Sequence, residues 1–299
     1  MKNYLSRRKL CESIFAATAT TTLCQAGQSS PDNKNSNRAN ASSHNPSQDS
    51  GKIPASHDME KMPAGWSGDE RIVFYIYPGF TALDMVGPHY MLSQLMGAKS
   101  YVVSKTLEEV TSDSGLKFKP DMDFSDCPPN PTIIFIPGGT AGTLSAMKDP
   151  EILYFLKSTG ERSQYVTSVC TGSLLLGAAG LLRGFRATSH WLTRPILTKF
   201  GAVPVDQRVV IDNNRITGAG VTAGIDFGLT ILSLLRDDKY AQCCQLLGEY
   251  DPEPPFNSGS PNKAPDEVVE LLKPMFTNFL KELNDVKPID WSAAMDKKQ

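Results

Sequence analysis

The residues with the clearest potential for chemistry surround Cys170 in the stretch 168-SVCTGS-173, directly after the apolar segment 165-YVTSV-169. A strand that turns sharply into a helix exposes the side chain at the turn, and it needs small neighbours such as Gly172 and Ser173. The positive end of the helix would favour a thiolate. Free cysteines are also common in protein cores. The local sequence therefore leaves a reactive and an inert Cys170 both open.

A nucleophilic cysteine needs groups that stabilise negative charge on its substrate. The backbone N–H of Thr171 would point to the place where that charge develops. A second donor could come from 137-PGG-139, where Gly138 and Gly139 allow the backbone to approach closely. These residues predict an oxyanion site built from the amides of Thr171 and Gly139.

Two further residues could move protons. Asp84 lies near the start of a predicted helix in 77-YPGFTALDMVGPHY-90, and a carboxyl group buried above the cysteine would have a raised pKa suited to proton transfer. It could instead serve as an ordinary first-turn carboxylate. His190 could act as the base of a Cys–His pair, or simply pack beside Trp191. Asp226 is predicted to be a structural hydrogen-bonding residue.

The remaining elements predict the sheet that would position these groups. Apolar runs at 71–77, 100–104, 132–137 and 165–169 are typical of strands buried on both faces, and shorter strand-like pieces lie near 186–189, 202–204, 208–211 and 215–218. Helices are predicted near 82–96, 150–160, 171–182, 222–237 and 238–248. This alternation indicates an α/β sandwich with a mostly parallel sheet. Because sites form at the carboxyl ends of such strands, the three loops should meet there.

Composition divides the chain into parts and excludes some functions. The basic, then apolar, then small-residue pattern of 1–26, with Arg7–Arg8, predicts a twin-arginine export signal and a periplasmic location, or a cytoplasmic one if the signal does not function. Polar residues 27–68 predict a disordered linker. The catalytic domain is placed at 69–250. A Pro-rich linker and a helix at 266–283, kinked at Pro274, occupy 251–299.

Charge and cysteine spacing argue against several partners. The net charge of −2 gives no basic surplus for nucleic acid, and no apolar run is long enough to predict a membrane span. The six cysteines contain no CxxC spacing, so zinc or thioredoxin-like chemistry is not predicted.

The motifs taken together resemble the ThiJ/PfpI superfamily, whose members have a class I glutamine amidotransferase-like fold. The resemblance covers about 70 to 250 and is strongest to the isonitrile hydratase branch. It is carried by YPG…LDxxGP, PGG, SVCTGS, RxTxHW and TAGIDF, in that order. Aspartate rather than glutamate at position 84 favours this branch.

The resemblance implies a flavodoxin-like three-layer sandwich and a small-molecule substrate. It implies Cys170 as the nucleophile, Asp84 as its acidic partner and Thr171 beside them, in a homodimer without metal or organic cofactor. The reaction expected is hydration of isocyanides to N-substituted formamides. A non-catalytic or stress-protective relative, or an amidase, peptidase or glyoxalase-like enzyme, remains an alternative. A sensor of the AraC transcription-regulator type is disfavoured, because the residues after 250 are too few and not basic.

Overall fold

The computed structural model describes residues 62–291. The predicted signal and most of the predicted linker, together with the last eight residues, lie outside this range. The strands are β1 (Arg71–Tyr75), β2 (Lys99–Val103), β3 (Val110–Thr111), β4 (Lys117–Phe118), β5 (Ile133–Ile136), β6 (Tyr165–Val169), β7 (Arg186–Ala187), β8 (Val203–Pro204), β9 (Val209–Asp212) and β10 (Arg215–Gly218).

The helices alternate with these strands. They are α1 (Ala82–Leu92), α2 (Thr140–Met147), α3 (Pro150–Arg162), α4 (Gly172–Ala178), α5 (Ala223–Leu235), α6 (Asp238–Leu247), α7 (Asp266–Leu272) and α8 (Thr277–Asp285), with 3-10 helices at Arg194–Phe200 and Lys273–Phe276. Among the described residues, no helix is long and apolar enough to cross a membrane.

A six-stranded sheet forms the centre of the fold, in the order β2–β1–β5–β6–β10–β9. Every neighbouring pair is parallel except β9 and β10. The β5 sequence IIFI is buried at every position, as expected for a strand that is covered on both faces. This arrangement confirms the predicted flavodoxin-like sandwich with a mostly parallel sheet.

Alternate side chains of β1 show the two helical layers. Phe74 packs on one face against His89 of α1, with ring centroids 5.0 Å apart. Tyr75 points to the other face and packs against Phe155 of α3 at 6.0 Å. The apolar core therefore lies on both sides of the sheet, and the strand ends are held in fixed positions.

Several elements differ from the sequence-based prediction. Helix α2 and the hairpin of β3 and β4 were not predicted, because their short, polar or small-residue sequences have no clear apolar period. Helix α1 ends at Leu92 rather than 96, where the N–H groups of Gln94 and Leu95 bond to carbonyls three residues earlier. The helix predicted at 171–182 ends at Ala178, and Gly180 then adopts φ +76°.

The C-terminal segment packs on the core of its own chain. Phe279 and Leu283 of α8 are buried in that core, and the indole N–H of Trp291 donates to the carbonyl of Ala178 at 3.0 Å. The predicted single helix is interrupted by a 3-10 turn at Lys273–Phe276. Pro274 explains this interruption, because proline has no N–H for the helical ladder.

Candidate active site

Three loops meet at the carboxyl edge of the sheet, as predicted. Strands β1, β5 and β6 are neighbours, so the loops that follow them lie side by side. The first loop leads to Asp84 on α1, the second contains Gly138, and the third contains Cys170. The backbone N–H of Gly138 donates to Oδ2 of Asp84 at 2.9 Å, which joins the first two loops.

Cys170 lies at a sharp turn between β6 and α4. Its φ of +57° is in the left-handed region, which a non-glycine residue adopts only when its surroundings hold it there. Its N–H donates to the carbonyls of Gly218 and Ala219, at 3.1 and 2.7 Å. Its own carbonyl accepts bonds from the hydroxyls of Ser173 and Ser189, both at 3.0 Å. The backbone of Cys170 is therefore fixed on both sides.

Gly172 explains why the turn needs a residue without a side chain. A Cβ at this position would lie 2.2 Å from the carbonyl oxygen of Ile136, closer than two such atoms can approach. The small neighbour inferred from the sequence is thus required by the close approach of β5 and the first turn of α4.

Asp84 is a buried carboxyl group that faces Cys170. Burial raises its pKa to about 7, against the opposing effects of the Cys170 thiol and the Gly138 amide, which both favour the carboxylate. Its Oδ1 atom has no hydrogen-bond partner among the described residues. The Cys170 thiol nevertheless lies close enough to the carboxyl group to act on its pKa. A carboxyl group with this pKa can both accept and release a proton near neutral pH.

The pKa of the Cys170 thiol is raised rather than lowered, contrary to the expectation from the helix N-terminus. Burial, and then the charge of Asp84, raise its pKa well above the ordinary cysteine value. The N–H groups of Thr171 and Val221 face the sulfur and act in the opposite direction, but they do not prevail. Helix α4 has only seven residues, so its dipole is weak against the cost of burying a charge. The direction of this shift favours the protonated thiol in the ligand-free site.

The Gly139 amide, predicted as an oxyanion donor, already has an acceptor in this structure. Its N–H donates to Oγ1 of Thr171 at 2.8 Å, and the neighbouring Gly138 amide is bonded to Asp84. Both PGG amides therefore already have acceptors. The N–H groups that face the sulfur are those of Thr171, which the sequence predicted as a donor to a developing oxyanion, and of Val221, which the sequence did not predict. Val221 directly precedes the TAGIDF motif at 222–227, so the sequence drew attention to its neighbours but not to its amide.

The hydroxyl of Thr171 belongs to a buried chain of hydroxyl groups. It lies 2.9 Å from Oγ1 of Thr143, which lies 3.0 Å from the hydroxyl of Tyr77. Tyr77 donates to the carbonyl of Pro137 at 2.9 Å. This chain, which the sequence did not predict because α2 was not predicted, fixes the orientation of Thr171.

His190 lies near the site but does not touch its reactive pair. Its Nδ1 accepts the N–H of Leu192 at 3.4 Å, and its ring lies 6.2 Å from the ring of Phe276. Burial lowers its pKa, and the charge of Arg194 acts in the same direction. Within 62–291, no hydrogen bond joins it to Cys170 or Asp84, so the geometry favours the packing role over the Cys–His pair.

Asp226 has the structural role that was expected. Its carboxylate accepts a bond from Arg208 and lies 3.3 Å from the hydroxyl of Tyr250. These contacts join α5 to the loop before β9 and to the end of the domain. In the described part of the chain, no group of three or more His, Cys, Asp or Glu side chains could hold a metal ion.

Comparison with known proteins agrees with this geometry. Residues 70–234 match the DJ-1/PfpI family. The chain is 48% identical to a Pseudomonas putida protein named isonitrile hydratase, over 67% of this chain and 87% of that one. A crystal structure of a THiJ/PfpI family protein from Pseudomonas syringae shares 51% identity, with a TM-score of 0.75 over 78% of this chain and 98% of that one.

A regulator also resembles part of the chain. The HTH-type transcriptional regulator GbdR of Pseudomonas aeruginosa is 30% identical over 54% of this chain, but the match covers only 46% of the regulator. The matches to the protein named isonitrile hydratase and to the solved THiJ/PfpI structure cover a larger share of this chain and of the matched protein. With its cysteine elbow, its buried aspartate and its parallel sheet, the chain belongs to the DJ-1/PfpI family.

Proposed function

We propose that this chain is a cysteine-dependent hydratase that adds water to isocyanides and releases N-substituted formamides. The observation that carries the proposal is the buried carboxyl group of Asp84, whose pKa is about 7, against the Cys170 thiol at the elbow. The 48% identity to a protein named isonitrile hydratase supports the choice of substrate.

The first half of the reaction forms a bond between the sulfur and the terminal carbon of R–N≡C. The Asp84 carboxylate takes the proton of the thiol as the sulfur attacks, and it then delivers this proton to the same carbon. The product is a thioimidate, R–N=CH–S, attached to Cys170. A neutral thiol with a raised pKa fits this sequence, because the nearby base removes its proton only when the bond forms.

The second half uses one water molecule. Asp84 takes one proton from the water as its oxygen attacks the thioimidate carbon, and passes this proton to the nitrogen. Asp84 then takes the remaining hydroxyl proton as the C–S bond breaks and gives it to the leaving sulfur, so that R–NH–CHO leaves and Cys170 is again a thiol. The N–H groups of Thr171 and Val221 face the sulfur and would stabilise its negative charge as it leaves. Thr171 and Val221 thus act through their backbones.

Incubation with cyclohexyl isocyanide, followed by mass-spectrometric detection of N-cyclohexylformamide, tests the proposal. Cys170→Ser and Asp84→Asn should each lower the rate by roughly 100-fold or more. Cys244→Ser is the matched control, since Cys244 is also buried but lies on α6. Full activity in both site variants, or no formamide from the unaltered chain, would exclude this function. The second result would favour another superfamily activity or a non-catalytic role.

A homodimer is part of the proposal. Leu83, Val86 and Tyr90 form a stripe on α1, spaced to lie on one helix face, and they are 44%, 43% and 42% exposed. A second copy covering this stripe would also cover the helix that carries Asp84. Light scattering should give a dimer mass for the unaltered chain and a monomer mass for Val86→Glu. A monomer in both would contradict the assignment.

Export through the twin-arginine route is also proposed, on the basis of Arg7–Arg8 and the weakly apolar residues that follow. Cell fractionation should find the unaltered chain in the periplasm and Arg7→Lys/Arg8→Lys in the cytoplasm. Equal distribution of the two would show that this pair does not direct export.

A further inference from the structure

The loop at residues 219–222, between β10 and α5, carries one of the two N–H groups that face the Cys170 sulfur. That group is the backbone N–H of Val221. At the start of the loop, the carbonyl of Ala219 accepts the N–H of Cys170 at 2.7 Å. The loop therefore contacts the nucleophile at two points, and its position decides whether the Val221 N–H reaches the sulfur.

Arg208, directly before β9, is bonded to both ends of this loop. Its backbone carbonyl accepts the N–H of Ala219 at 2.8 Å, which extends the antiparallel pairing of β9 with β10 by one residue. Its Nη2 donates to Oγ1 of Thr222 at 3.3 Å. Because Val221 lies between these two contacts, Arg208 restrains the segment that presents the Val221 N–H.

The hydroxyl of Thr222 is available for this bond because it does not cap its own helix. A threonine before a helix ordinarily has an extended backbone, and its oxygen accepts an N–H of the first turn. Thr222 instead has a helical backbone, with φ −72° and ψ −14°, and its side chain makes no capping bond. Its polar contact is with Arg208, outside the helix.

Asp226 fixes the guanidinium of Arg208 in the same place. Its Oδ2 accepts a hydrogen bond from Nε of Arg208, and the hydroxyl of Tyr250 lies 3.3 Å from each of its carboxylate oxygens. Asp226 follows Thr222 by four residues, so both lie on one face of the helix start. The Nε and Nη2 donors of a rigid guanidinium therefore reach both residues at once.

The exposure of the ion pair argues that its main effect is geometric. The side chains of Arg208 and Asp226 are 49% and 33% exposed. Ion pairs open to solvent contribute little to the stability of a fold. The contacts of Arg208 nevertheless determine where the loop at 219–222 lies.

We propose that Arg208 is a positioning residue of the reaction, whose guanidinium, fixed by Asp226, restrains Thr222 and so keeps the Val221 N–H directed at the Cys170 sulfur. This role rests on the proposed function, in which that N–H stabilises negative charge on the leaving sulfur. A lysine at position 208 would retain the charge but has a single nitrogen, so it cannot reproduce the two contacts of the planar group.

Nuclear magnetic resonance of the ¹⁵N-valine-labelled chain measures this link without any substrate. Cys170→Ala should shift the Val221 amide proton resonance in the otherwise unaltered chain, because it removes the sulfur that this N–H faces. The same replacement should shift it much less in Arg208→Gln and in Arg208→Lys. A full shift in both Arg208 variants would overturn the proposal, whether or not the chain hydrates isocyanides.

Kinetics with cyclohexyl isocyanide then test the consequence for catalysis. Arg208→Gln and Arg208→Lys should each lower kcat by about tenfold with little change in KM, less than the loss of a complete oxyanion donor. Thr222→Val should also lower kcat, whereas Thr222→Ser keeps the hydroxyl and should restore it. Arg162→Gln is the matched control, since Arg162 donates to the Pro129 carbonyl at the opposite edge of the sheet.

Two kinetic results would contradict this role for Arg208. A loss of kcat in Arg208→Gln but not in Arg208→Lys would assign the effect to charge rather than to geometry. Equal kcat values for Thr222→Val and Thr222→Ser would show that the bond between Arg208 and Thr222 does not position the loop.

Discussion

The backbone N–H of Gly138 donates a 2.9 Å hydrogen bond to Oδ2 of Asp84, and this bond holds the carboxyl group in place beside Cys170. A Cβ at Gly138 would lie 2.6 Å from the Thr171 nitrogen and 2.7 Å from that same carboxylate oxygen. The loop and the carboxyl group therefore fit only because residue 138 has no side chain.

Gly138→Ala should consequently damage the site more than the fold. The added methyl group must push apart the first and third loops, which we expect to cost about 1–3 kcal/mol of stability and most of the activity. Chemical denaturation and formamide production would measure the two effects. Gly259→Ala is the matched control, because a Cβ there meets nothing within 4 Å. Equal behaviour of the two variants would contradict this account of the loop.

The sequence predicted the sheet and the meeting of the three loops because strongly apolar runs determine buried parallel strands. It also predicted that Cys170 and Asp84 would be close. It could not predict the direction of the Cys170 pKa shift, since that depends on burial by distant elements. Nor could it predict that the Gly139 amide is already bonded to Thr171, a contact that depends on side-chain orientation.

Asp84→Asn should stabilise the protein at alkaline pH. The Asp84 pKa is about 7 in the folded protein and 3.8 in the unfolded reference, so folding favours the protonated form. Stability is thus lost as pH rises between these values, by about 4 kcal/mol at most, from roughly 1.4 kcal/mol for each pKa unit. An asparagine oxygen can still accept the Gly138 bond without a charge.

The measurement is urea denaturation of both proteins at pH 4 and pH 8. The gain from Asp84→Asn should be small at pH 4, where the unaltered carboxyl group is protonated in the folded state, and several kcal/mol at pH 8. A gain of the same size at both pH values would show that burial of the charge is not its cause.

The same carboxyl group should set the acid limb of the reaction. If the Asp84 carboxylate takes the Cys170 proton, kcat/KM must fall once Asp84 is protonated. The profile for cyclohexyl isocyanide should therefore bend near pH 7 and drop about tenfold per unit below it. Asp84→Asn should remove this bend from its residual activity. A flat profile down to pH 5 would rule out this role.

Tyr75→Phe and Tyr77→Phe form a matched pair with opposite expected effects on stability. Both hydroxyls are fully buried, but only that of Tyr77 has protein partners among the described residues. Removing it leaves the Pro137 carbonyl and the Thr143 hydroxyl short of a bond, at a cost of about 1–3 kcal/mol. Removing the unpartnered Tyr75 hydroxyl should leave the protein as stable as before, or more stable.

The pair also separates effects on the reaction. Because Tyr77 acts on Thr171 through Thr143, Tyr77→Phe should lower kcat with little change in KM, and Thr143→Val should do the same. Thr143→Ser keeps the hydroxyl and should restore kcat, a rescue that loss of packing alone would not give. Tyr75→Phe should leave kcat unchanged, since its hydroxyl is not bonded to this chain. Equal loss of kcat in Thr143→Ser and Thr143→Val would mean that the methyl group of Thr143, rather than its hydroxyl, positions Thr171.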